Sequence, residues 1–177
     1  MNKLLFLCVL AMLASCSSKK AEEVDSAIFI EKNVSEFIER NPDWTKNETI
    51  ERETTEKFKH KLINLSNDSS FLNGMPLQLK EIKDTSINEI RTKIATFKAY
   101  SDTSRKENSL LNYMQIRITG IVNEAQIKDL AVDKKYTLTG TLHTQGKRKD
   151  VNFVHVADFK GYNLGHYTFV ITGFKPI

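Results

Sequence analysis

Apolar side chains change their period along this chain. Between residues 25 and 65 they recur every three or four positions, and beyond residue 75 they alternate with polar ones. Ile30, Val34, Phe37 and Ile38 form one face of a first helix. It is predicted to begin near Asp25 or Ser26 and to stop before Asn41-Pro42, since proline pushes the preceding residue out of helical backbone. Thr45 and Glu48 fit a capping box, in which each side chain satisfies a backbone N–H of the other, so a second helix is expected from there. Ile50, Thr54, Phe58, Leu62 and Leu65 fall on one stripe of it, with Glu48–Arg52 and Glu53–Lys57 as i,i+4 pairs outside. An apolar stripe needs cover. Phe58, Leu62 and Leu65 are therefore predicted to pack on the C-terminal part of the chain.

That C-terminal part reads as strands. Leu77 and Leu79 alternate with polar residues after Pro76, and a second strand runs through about Ile90 to Tyr100. After a polar loop, Ser101 to Ser109, the residues Met114, Ile116, Ile118 and Val122 share a face opposite Gln115, Arg117 and Thr119. Glu124 to Leu130 suit one or two helical turns with Ile127 and Leu130 inward. Tyr136, Leu138, Gly140 and Leu142 alternate with threonines and His143, and Val151 to Val156 is expected as the hairpin partner of that strand across Gln145-Gly146-Lys147. Tyr167, Phe169 and Ile171 form the last strand.

A short motif recurs within the strands as Ile118-Thr119-Gly120, Leu138-Thr139-Gly140 and Ile171-Thr172-Gly173, at spacings of 20 and 33 residues too unequal for a solenoid. Glycine inside a strand marks a bulge, a corner or close backbone approach. Three of them point to strongly bent strands. The expected class is α+β, with N-terminal helices packed on a small antiparallel β-barrel or sandwich. The order of strands and short helix over residues 75–175 resembles an OB-fold with added elements, and a two-sheet sandwich fits the same pattern.

The N-terminus obeys different rules. Lys3 precedes an unbroken apolar run, Leu4 to Leu13, then Ala14, Ser15 and Cys16. About ten apolar residues cannot span a hydrocarbon core that needs about twenty, but they suit the core of a signal peptide. Leu13-Ala14-Ser15-Cys16 resembles the lipobox of bacterial lipoproteins. That resemblance covers residues 1–16 only and implies cleavage before Cys16, diacylation of its thiol (palmitate being a usual chain) and further acylation of the freed amine. One acyl chain binds a membrane marginally, and two or three anchor it durably. Ser17 after the cysteine implies, by the enterobacterial rule, an outer-membrane address facing the periplasm. The expected organisation is a signal peptide over 1–15, a tether over 16–24, a helical segment over 25–65 and a β domain over 66–177.

Composition narrows the chemistry. The chain has two cysteines, Cys8 in the apolar run and Cys16, so after processing no disulfide framework or thiolate nucleophile is left. Net charge is +4, but it is uneven: residues 21–65 carry −4 and residues 66–177 carry +5. Lys147-Arg148-Lys149 at a turn, with Lys134 and Lys135 upstream, suggests a patch for an anionic glycan, a lipid headgroup or a protein, or else a solvated turn whose charge protects a sheet edge. An exported protein gives no reason to expect nucleic acid. His143, His155 and His166 lie on or beside late strands with Asp158 near, yet none has ligand spacing, so no metal or other cofactor is expected. The chain holds no nucleophile elbow and no phosphate loop, and no pair of carboxylates is singled out. The sequence therefore leads to a non-catalytic binding or assembly lipoprotein of the envelope, with an immunity or inhibitor-type lipoprotein, one that blocks a toxin, a phage or an envelope enzyme, as the alternative.

Overall fold

A computed structural model describes residues 27–100, 110–156 and 159–177. Two helices come first, α1 (Phe29–Arg40) and α2 (Glu48–Ser66). Strands β1 (Leu77–Ile87), β2 (Ile90–Ala99) and β3 (Met114–Val122) come next, then the short α3 (Glu124–Ile127), β4 (Lys135–Thr144), β5 (Asn152–Val156) and the long β6 (Phe159–Pro176). The α+β expectation holds.

Five strands close into a ring in the order β1-β2-β3-β6-β4, with β5 added outside β6. The sheet thus closes partly into a barrel-like ring, within the barrel-or-sandwich expectation. Every pairing is antiparallel except β3–β6, which is parallel. An odd-membered ring cannot alternate strand direction all the way round, so closing five strands requires a parallel pair. The seam between β1 and β4 is the thinnest, registering only Leu77 with Tyr136 and Gln78 with Lys135. The Val151–Val156 strand does not pair with β4 as expected. It turns back on β6 instead, with Phe153 opposite Tyr162, because the second half of β6 already occupies the β4 edge.

Two bulges change which side chains face inward. In β1 the register shifts between Leu79 and Glu81, so that Leu77 and Leu79 point into the barrel before Lys80, and Ile82 does so after it. In β6 the shift falls at Leu164–Gly165, where Gly165 takes a φ of +93°, a conformation side chains resist. Tyr162 and Leu164 face inward before it, Tyr167 and Phe169 after it, and His166 is turned to the outer surface. The recurring glycines gather around one bend for a different reason, close approach. An added Cβ would lie 2.6 Å from the Ile171 side chain at Gly120, 2.5 Å from the Val170 carbonyl oxygen at Gly140, and 2.8 Å from the Thr139 hydroxyl at Gly173.

The helices cover the barrel through aromatic rings. Trp44, in the α1–α2 turn, lies 5.0 Å from Phe58, 5.3 Å from Phe37 and 5.5 Å from Tyr162 between ring centres. Its indole N–H donates to Thr55 at 3.1 Å. Phe58 and Leu62 are fully buried, as predicted, while Leu65 is half-buried. The segment after α2 joins the same core: Phe71 stacks on Phe169 at 5.7 Å, with Leu72 and Met75 buried beside it. Asn47, not Thr45, caps α2, its side chain accepting from the Ile50 N–H at 3.0 Å. The pairs Glu48–Arg52 and Glu53–Lys57 do not close; Glu56 binds Lys59 at 2.7 Å on the outer face instead. The proposed start of α1 at Asp25 or Ser26 lies outside the described residues.

Candidate functional site

The outer face of the barrel carries the most concentrated chemistry among the described residues. Strand register builds it. Lys98 on β2 stands opposite Arg117 on β3, and Arg117 opposite His166 on β6. One step along, Glu81, Thr96 and Thr119 form the neighbouring row, and beyond them Lys83, Ile94, Ile121 and Val170 form a third. Lys98 and Arg117 are exposed, and among the described residues neither side chain forms a hydrogen bond or an ion pair. Like charges directly opposite on paired strands destabilise a sheet. This pair is held at that cost: the Glu81 carboxylate acts on Arg117 electrostatically, but it is bonded to Lys83 and forms no ion pair with either cation.

Two cavities open on this face. One, of about 380 Å³, is lined by Lys98, Gln115, Arg117, Asp150, Asn163 and His166 among others. The second, of about 440 Å³, is lined by Lys83, Glu81, Thr96, Lys98, Thr119 and His166 among others, with Arg117 again in its wall. Sharing Lys98, Arg117 and His166, they form one trough across β1, β2, β3 and β6. Each bulge borders it, Lys80 at one cavity and Gly165 at the other. Bulges are common beside sites because they re-aim side chains.

Hydrogen bonds organise the trough. The Thr119 hydroxyl and His166 Nε2 lie 2.7 Å apart. Burial holds the His166 imidazole below its ordinary pKa, helped by the Arg117 and Lys147 charges and opposed by Asp150. Glu81 accepts from Lys83 and from the Thr96 hydroxyl, each at 3.2 Å, and these bonds, the lysine's first, hold its carboxyl below the usual carboxylate range. The chemistry on offer is capture of negative charge, with hydroxyl, amide and carboxylate groups alongside.

The basic residues picked out by the sequence are not one patch. Lys134 and Lys135 sit at the start of β4 and Lys147 to Lys149 beyond its end, so ten residues of strand, about 30 Å at ~3.3 Å each, separate the groups. Lys135 lies over the Tyr100 ring at 3.8 Å. Arg148 turns away to α2, with its guanidinium 2.9 Å from His60 Nε2 and 3.8 Å from Glu56. Lys149 and Lys134 are exposed. Lys147 alone of the five acts electrostatically on the trough, through His166. His143 is exposed on β4, at the register shift beside Thr168 and Phe169 of β6, and it lines neither of the two cavities that His166 shares. The His155 side chain, Asp158 and Cys16 lie outside the described residues. Among the described residues no group of three His, Cys, Asp or Glu side chains could hold a metal ion, and no helix is long and apolar enough to cross a membrane.

Sequence reasoning missed Lys98, Glu81, Lys83 and Asp150, and named Arg117 only as an outward residue. They lie far apart along the chain, and only the register joins them. No protein-family model, curated protein or solved structure matches the chain.

Proposed function

We propose that this chain is a lipid-anchored lipoprotein of the bacterial envelope, a non-catalytic binding module that holds an acidic ligand on the outer face of β1, β2, β3 and β6. The anchor rests on the lipobox at Leu13-Ala14-Ser15-Cys16. The binding reading rests on one observation above the rest: Lys98 and Arg117 are placed in direct cross-strand register, exposed and without an ion pair among the described residues. A sheet gains nothing from that arrangement alone, whereas an anion between the two cations relieves their repulsion and contributes charge-assisted hydrogen bonds. Fold analogy leans the same way, since the equivalent strands of OB-type barrels commonly carry the ligand.

Net positive charge would draw the protein to any polyanion, so the test controls for charge. Mature chain carrying Lys98→Ala and Arg117→Ala is compared with a charge-matched Lys134→Ala, Lys149→Ala chain for binding to a panel of acidic polysaccharide, acidic peptide and inorganic polyphosphate. At least one probe should bind tenfold or more weakly to the trough variant, about 1.4 kcal/mol, and equally well to the control. Equal losses in both variants for every probe would reduce the attraction to net charge and remove the trough as a site.

A further inference from the structure

We infer that the ligand of this trough is a segment of acidic polysaccharide, lying across the strands with its anionic groups on Lys98, Arg117 and Lys83. The inference rests on the binding reading above and names the ligand class.

Extent comes first. The two cavities share one wall and cross four neighbouring strands, three interstrand spacings of about 4.8 Å, or roughly 14 Å. Both are open along the surface, as a polymer passing through would need. An isolated phosphate would occupy only a fraction of that length.

Lining chemistry then separates the polymers. No Phe, Tyr or Trp side chain lines either cavity, and the one ring present, the His166 imidazole, is hydrogen-bonded to Thr119 at its Nε2. Single-stranded nucleic acid is held largely by stacking its bases on aromatic rings, so the trough lacks the platform that class uses. An acidic peptide held as an added strand needs a free sheet edge. β2 and β3, the strands that carry Lys98 and Arg117, are each paired on both sides, and the open edge of β1 beyond Gln78 lies on the side of β1 away from them. Bare polyphosphate carries negative charge along its whole length and would meet Glu81 and Asp150, one in each cavity.

A glycan with acidic groups suits all of these features. Its carboxylates or sulfates face the cations, and its hydroxyls donate to the carboxylates of Glu81 and Asp150. Gln115 and Asn163 amides and the Thr119 hydroxyl supply both donors and acceptors between them. The two carboxylates thus act as selectors: they favour a ligand bearing O–H groups beside its charges and oppose one bearing charges alone.

Binding of the mature chain to galacturonate oligomers of increasing length tests this, with fully methyl-esterified oligomers, polyphosphate and a poly-glutamate peptide as comparisons. Affinity should rise with oligomer length until the chain spans the trough and then level off, and esterification should abolish it. Lys98→Ala and Arg117→Ala should each weaken acidic-oligomer binding fivefold or more. Asp150→Asn should weaken oligosaccharide binding and strengthen polyphosphate binding. Strengthening of both by Asp150→Asn, or no dependence on oligomer length, would overturn the glycan assignment. Should the peptide bind through Lys98 and Arg117 while no oligosaccharide does, the glycan assignment fails and the binding reading stands. If nothing binds through those two residues, both fail.

Discussion

His166 reaches its place only because Gly165 accepts a positive φ, and its side chain then meets charged groups from every strand around it. Arg117 and Lys98 face it from β3 and β2, Lys147 and Asp150 from the β4–β5 connection, and Glu81 and Lys83 from β1. Burial and the two nearer cations favour the neutral ring, so the folded protein binds its proton less readily than the unfolded chain, where the ordinary value is 6.5. Linkage sets the sign: this contribution is complete above pH 6.5 and is lost as pH falls from there to the lower folded-state value, because only the unfolded chain gains a proton in that window. Melting temperature should therefore drop on acidification more steeply in the parent chain than in His166→Gln. Parallel pH profiles for the two proteins would show that the imidazole is not held neutral by the fold. An anion in the trough would reverse the local balance and favour the imidazolium. With a bound acidic ligand, the difference between the two profiles should shrink.

Element by element, the alternation of side chains reports the strands well and their partners badly. β3 is legible because Met114, Ile116, Ile118 and Val122 keep one parity to the end. β1 is legible only in its first half, since the bulge at Lys80 breaks its period. The partner of β5 is not legible from the turn before it, because the deciding factor is the length of β6, whose 18 residues serve β3, β4 and β5. The trough is illegible for the same reason. It is a product of register, and register depends on closure of the whole ring. The α2 stripe, by contrast, is local information, and Phe58 and Leu62 are buried as its spacing required. Full burial of each contributes about 1.5–3 kcal/mol. Phe58→Ala should lower stability by about 3–5 kcal/mol, cavity included. Trp44, the chain's single tryptophan, lies 5.0 Å from Phe58 and touches the rings of β5 and β6, so its fluorescence reports the helix–barrel contact. Its transition in urea should coincide with loss of β-sheet ellipticity, and both should move together in the variant. A fluorescence change that precedes loss of the sheet would mean that the helices dock as a separate, weaker unit.

At the scale of the whole molecule, the uneven charge has a structural counterpart. Arg148, from the basic β segment, reaches Glu56 and His60 on α2, while Lys98 and Arg117 face outward from β2 and β3 without an ion pair among the described residues. The proposed anchor on Cys16 would set where that outward face lies. Eleven residues separate Cys16 from Ile28, a reach of at most about 40 Å fully extended, so acyl chains on Cys16 would confine the trough to the layer just above the bilayer. Confinement of that kind raises the local concentration of any polymer attached to the same membrane, and a weak site becomes sufficient. The consequence is testable in cells. Cys16→Ala should leave the protein unprocessed or released from the membrane fraction, and its folded domain, measured after extraction, should still bind the acidic probe as well as the parent does. Capture of the polymer at the cell surface should nonetheless fall sharply, because anchorage and not the site has been lost. A mature-sized Cys16→Ala protein that still fractionates with membranes would remove the lipobox reading, and with it the argument that proximity compensates for a weak site.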